Sequence, residues 1–117
     1  MNKMIAVFNP DTGKVVATPA IGGDPDGNGF DPGTGLIFAA CREGLLTVIH
    51  EDSPDKYTNV ANVKTEFGAR TMAVDTKTHH VFVVTADFKP APAATADNPH
   101  PRPQAVPGTF RILEYGE

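Results

Sequence analysis

The sequence contains no tryptophan and a single cysteine, Cys41, among 117 residues. One thiol excludes an internal disulfide framework and any cysteine-rich zinc site. Basic runs are missing as well: the ten Lys and Arg residues are scattered, and the formal net charge is -4. Binding a phosphate backbone needs clustered Lys and Arg, so the composition argues against a general nucleic-acid binder. No apolar stretch approaches the roughly 20 residues that cross a bilayer as a helix, which argues against a membrane partner. In MNKMIAVFNPDTG the apolar stretch is broken by Asn9 and Pro10, so no export signal is read there. Helix signals are scarce: no window of a dozen residues places apolar side chains at i, i+3, i+4 and i+7 between credible caps.

What is present is an ordinary apolar content in short β-branched and aromatic runs, divided by the turn clusters NPDTG, DPGTG, DSPDK and DTKTH. These patterns predict strands over Met4–Phe8, Lys14–Ile21, Gly27–Asp31, Leu36–Cys41, Leu45–Glu51, Tyr57–Lys64, Thr71–Asp75, His80–Thr85 and Thr109–Tyr115. The chain also repeats itself. GFDPGTGLIF and AVDTKTHHVF align at an offset of 44 residues, matching Asp31 with Asp75, Thr34 with Thr78 and Phe38 with Phe82. A period of about 40–45 residues with four strands in each is the signature of β-propeller blades. With strands labelled a to d from the centre outward, the chain reads c-d, a-b-c-d, a-b-c. The expected architecture is therefore all-β, with about two and a quarter blades of four antiparallel strands per chain. Residues 1–21 form an outer half-blade, 22–65 a full blade, and 66–117 a last blade with a proline-rich insertion at 89–107.

Four stretches carry a family resemblance: DTGKVVATPAIG, DGNGFDPGTGLIFAA, GLLTVIHEDSPDKY and GARTMAVDTKTHHVFVVTADF. In this order and spacing they resemble the YVTN-type propeller repeats of the bacterial YncE-like family, and in particular the C-terminal end of such a protein. The proline-rich insertion before PGTFRILEYGE fits that ending. The resemblance implies a propeller fold in a family that is mostly exported, and whose members carry six or seven blades. A propeller needs at least about four blades to close its ring. Two partial blades leave apolar faces and strand edges open, which invites association. The C-terminal a-b-c set of one copy and the N-terminal c-d pair of the next are complementary, so a closed homo-oligomer is expected. Three copies give six blades and two give four, with the trimer favoured. One strand c per junction is then redundant, and a swapped or displaced strand is expected there.

Residues with chemical potential are few. Asp24, Asp26, Asn28 and Gly29 follow the D-x-D-x-N-G order that opens an EF-hand calcium loop, but the twelfth position is Gly35 where the loop needs a bidentate Glu. A loop between blades is the expectation, with a weak cation site at Asp24, Asp26 and Asn28 as the alternative. The 44-residue offset places Arg70 as the counterpart of Asp26. Both are expected to begin innermost strands, where they either pair across blades or line a polar pocket at the channel mouth. Asn28, and Arg42 with Glu43 from the turn CREG, are expected on the same rim. A small polar ligand bound by Asp26, Asn28, Arg42 and Arg70 is the resulting site expectation. His79 and His80 are neighbours on a strand start and point to opposite faces, so they suit a surface turn better than one metal ion. His50 is expected to face outward and His100 to lie in the proline-rich loop. Cys41, ending LIFAAC, is expected to be a small core residue. Residues 89–107 hold six of the eleven prolines and are expected to be an extended excursion: an insertion draped over the ring, a lid, or an arm on the neighbouring subunit.

The expected function is a non-enzymatic binding or scaffold module that assembles with copies of itself, with no cofactor and no catalytic residue assigned. The alternatives are a propeller enzyme of the lactonase or quinoprotein kind, with a polar or metal site at the channel, and a fragment without a function of its own.

Overall fold

One five-residue turn design recurs along the chain. In a computed structural model, which describes residues 2–116, Asn9–Gly13, Asp31–Gly35 and Asp75–His79 share it. The carbonyl of the first residue accepts the N–H of the fifth, at 2.7, 2.9 and 2.7 Å. The fifth residue lies in the left-handed region, with φ of 69° at Gly13, 69° at Gly35 and 62° at His79. The first side chain accepts the N–H two positions on: Asn9 from Asp11, Asp31 from Gly33, Asp75 from Lys77. This short side-chain bond is why Asn or Asp opens each turn. The positive φ is why glycine closes two of the three.

Between the turns lie nine strands: β1 (Val7–Asn9), β2 (Lys14–Ala17), β3 (Pro25–Asp31), β4 (Leu36–Cys41), β5 (Leu45–Ser53), β6 (Lys56–Lys64), β7 (Arg70–Asp75), β8 (His80–Thr85) and β9 (Arg111–Tyr115). No helix occurs among the described residues. The strands form three antiparallel sheets, ordered β1-β2, β3-β4-β5-β6 and β7-β8-β9. Each of the nine predicted runs overlaps one strand. The first two are shorter than expected, because beyond β1 and β2 pairing thins to an isolated Met4–Ala20 bridge. Pro19 lies in that stretch and has no N–H to give a ladder.

The main core lies between the four-stranded and three-stranded sheets. Phe38 and Ala40 of β4, Leu46 and Val48 of β5, and Val81 and Val83 of β8 form its buried cluster with Ala69. They alternate along their strands, so one face of each sheet is apolar and turned to the other. Burying a Leu or Val side chain of this kind contributes about 1.5–3 kcal/mol. At the inner edge β7 packs on β3, where glycine decides the distance. A Cβ on Gly29 would stand 2.8 Å from Cγ2 of Val74, and one on Gly27 3.4 Å from Cγ of Met72. The two glycines form a trough that takes the side chains of β7.

The opposite face of the four-stranded sheet buries Cys41, Thr47 and Ile49. Here the chain leaving β2 is fastened to it. Gly22 N–H donates to Thr47 Oγ1 (3.1 Å), Thr47 Oγ1 donates to Asn62 Oδ1 (2.8 Å), and Asn59 Nδ2 donates to the Ala20 carbonyl (2.6 Å). The β1–β2 pair thus belongs to the layer on one side of the large sheet, and β7–β9 to the layer on the other.

Candidate functional site

β3, β7 and β9 begin at one rim of the molecule, and β4, β6 and β8 end there. That rim carries the turn after β4, the β6–β7 connection and the proline-rich segment. Of the four residues expected to line a polar site, Asp26, Arg42 and Arg70 lie on or beside it, and Asn28 stands midway along β3. Arg42 reaches Asp24 at 3.6 Å between Nη1 and Oδ2, and its Nε is buried without a hydrogen-bond partner. Asp26 Oδ2 accepts the backbone N–H of Thr71 at 2.9 Å. Thr71 has φ 48°, an uncomfortable conformation for a β-branched residue, and Asp26 braces it. Asn28 is exposed on β3, and Arg70 is exposed at the start of β7. Asp26 and Arg70 therefore come from adjacent sheets to one place, but the carboxylate takes the amide next door and no ion pair joins the two side chains.

The calcium-like stretch is not wrapped as a loop. β3 runs through it as an extended strand, so Asp24 and Gly35 stand at opposite ends of the sheet. Asp24 turns to Arg42 and Asp26 to the Thr71 amide. Among the described residues no three His, Cys, Asp or Glu side chains converge as a metal-holding group.

A second polar group on this rim was not foreseen from sequence. Arg111, at the start of β9, donates from Nη2 to Glu66 Oε1 (2.7 Å) and from Nε to Glu66 Oε2 (3.3 Å). It also lies 3.1 Å from Asp87 Oδ1, and Nη1 donates to the Thr109 carbonyl. The Arg111 hydrogen bond holds the Glu66 carboxyl below the usual glutamate range, against a smaller opposing effect of burial. Glu66 in turn, with Asp87 behind it, holds the proton more firmly on Arg111. The two-pronged geometry is what a planar guanidinium offers a carboxylate. No local motif marks this group, because Glu66 and Arg111 are 45 residues apart.

These side chains border a cleft of about 850 Å³, shared with Lys64, Thr65 and Lys89. Thr65 Oγ1 is buried there without a partner. Phe67 and Phe88 close one side edge-to-face, with centroids 6.1 Å apart at 89°. Arg70 borders a smaller neighbouring cavity of about 280 Å³ with Phe88 and Phe110. Arg111 and both carboxylates are committed to one another. Among the described residues Lys64, Arg70 and Lys89, which border these cavities, make no ion pair.

The proline-rich segment rises from this rim on a tied base. Lys89 N–H donates to the Gln104 carbonyl (2.8 Å) and Val106 N–H to the Asp87 carbonyl (2.7 Å), around a Phe88–Ala105 bridge. From residue 89 to 100, including His100, the chain is exposed.

The other three histidines sit at the opposite rim, each with a carboxylate at 2.6 Å: His50 with Asp52, His79 with Asp31, His80 with Glu114. His79 and His80 point to different sheets and do not share a site. The His79 contact is unexpected, because it links the β7–β8 turn to the β3–β4 turn across the sheet interface. Asp31 has no solvent exposure. Burial pushes its pKa up, yet hydrogen bonds from Thr34, His79 and the Gly33 N–H together outweigh it and hold the carboxyl below the usual range. Cys41 is fully buried, with Sγ 3.6 Å from the Ala39 carbonyl, and burial pushes its thiol pKa up. A raised pKa and no exposure describe a core thiol, not a reactive one.

No protein-family model, no curated protein and no solved structure matches the chain.

Proposed function

We propose that the protein is a non-enzymatic binding and scaffold module of the β-propeller type, which closes into a ring with copies of itself and presents a polar rim to a small ligand. The observation that carries this reading is one packing step. The four-stranded meander β3–β6 is followed, at the 44-residue offset of the sequence repeat, by β7–β9 packed face to face upon it. Strand counts of two, four and three suit a module whose outer sheets are completed by neighbours. On this reading three copies supply the six blades of a closed ring. On that ring Arg42 and Arg70, with Asp26 and Asn28, recur around one face as the ligand-binding rim. Native mass spectrometry tests the reading: the expected mass is three times 12.4 kDa, and a chain that flies as a single copy at every concentration overturns it.

A further inference from the structure

We infer that two copies join by repeating, between chains, the contact that β7 makes on β3 within one chain: Phe30 of one copy seats on Ala73 of the next. This inference rests on the ring reading above and names the surfaces that close it. The repeat offset pairs β3 with β7 residue by residue, Gly29 with Ala73 and Phe30 with Val74. Within the chain, Val74 enters the trough over Gly29. The equivalents of those two residues are Phe30, on the face of β3 turned away from β7, and Ala73, on the face of β7 turned away from β3. Both are open to solvent: Phe30 is 46% exposed and Ala73 is exposed. A large ring at one end and a small side chain at the other are the knob and the hollow of a head-to-tail contact, which repeats in one direction and can close.

Two further features converge on the same docking. The face of the three-stranded sheet that bears Ala73 also shows Ile112, 62% exposed, with Phe110 beside it, an apolar surface that a monomer has no use for. The β1–β2 pair of the incoming copy lies in the same layer as the sheet being covered, so the docking carries it alongside β9. β9 has β8 as its only strand neighbour among the described residues. Clefts of about 850 and 540 Å³ flank that open edge, the second lined by Val63 of β6 and Tyr115 of β9. The incoming hairpin brings Phe8 and Val15, which face each other across its two strands and are both exposed. It extends the three-stranded sheet and covers the face of β6 that β9 leaves bare.

Charge exchange tests the contact. Phe30→Asp and Ala73→Lys each change an exposed residue, so each variant keeps the circular dichroism of the parent. Each is expected to weaken association at least about tenfold, the order of effect of an unpaired buried charge at an interface. The double variant Phe30→Asp/Ala73→Lys places the two charges opposite each other at every junction and is expected to regain the parental mass. The two positions face away from each other within one chain, so rescue in cis is excluded. If the parent assembles and both single variants assemble as well as it does, this contact is overturned while the ring reading stands. Single variants that dissociate without rescue in the double variant overturn the pairing. A monomeric parent overturns both inferences.

Discussion

The turns Asp31–Gly35 and Asp75–His79 have the same length, the same backbone hydrogen bond and the same aspartate-to-amide bond, yet different surroundings. Asp31 is sealed from solvent and Asp75 is not. The difference comes from the neighbour. The β7–β8 turn leans on the first and reaches it with His79, while no described element covers the second. His79 shows what that contact demands. It occupies the left-handed position that Gly35 fills in the sister turn, and the conformation costs a non-glycine residue about 1–2 kcal/mol. Local chemistry builds both turns; tertiary contact alone makes one of them part of a core.

Removing each aspartate gives the largest separation between the turns. Asp31→Ala strips acceptors from Gly33, Thr34 and His79 in a closed site, and a fall in Tm on the order of 10 °C or more is expected. Asp75→Ala removes bonds that solvent can replace, and a fall of about 2–4 °C is expected. Equal losses by calorimetry would dissolve the distinction.

The strands that lead into these turns provide the next test. Gly29→Val drives a side chain into the space held by Val74, and overpacking of this kind costs about 1–3 kcal/mol. Ala73→Val sits at the equivalent, open position and is expected to cost less than about 0.5 kcal/mol within a single chain. Denaturant midpoints at low protein concentration read both values.

A finer comparison concerns His79 alone. His79→Ala loses the bond to Asp31 and keeps the strained backbone, whereas His79→Gly loses the bond and relieves the strain. The glycine variant is expected to be the more stable by about 1 kcal/mol. If alanine equals glycine, the positive φ carries no penalty at this site.

The smallest effect is one of pH. Asp31 has a folded pKa below the ordinary aspartate value of about 3.9, so it contributes stability above that pH and loses it as the pH falls through the folded value. The Tm difference between the parent and Asp31→Asn is therefore expected to be flat above about pH 5 and to narrow below about pH 4. A difference that widens in acid would reverse the sign of the shift.

How much of this was legible beforehand depended on range. The turns could be read because Asp31, Gly33, Thr34 and Gly35 act on each other within five residues. The strands could be read because alternation is a local pattern, although their ends moved where Pro19 thinned the pairing. The contacts that matter for the rim were not legible. Asp26 and Arg70 were expected from the repeat either to pair or to line one polar pocket, and the nearer Thr71 amide takes the carboxylate. Arg111, Glu66 and Asp87 meet only because β9 returns beside β8 after a long detour. His79 resembled any turn residue until the neighbouring sheet placed Asp31 beneath it. Sequence periodicity shows which positions are equivalent; it does not show what stands across from each of them.

The tied base of the proline-rich segment has a bearing on how the molecule can change. With Asp87–Lys89 and Gln104–Val106 already held together, the ends of the tip are fixed whatever lies between them. Each doubling of a loop closed in this way costs only about 0.6 kcal/mol. Residues 90–103 are thus the place where foreign sequence can be spliced in, a tag, an epitope or a whole domain, while β8 and β9 keep their register.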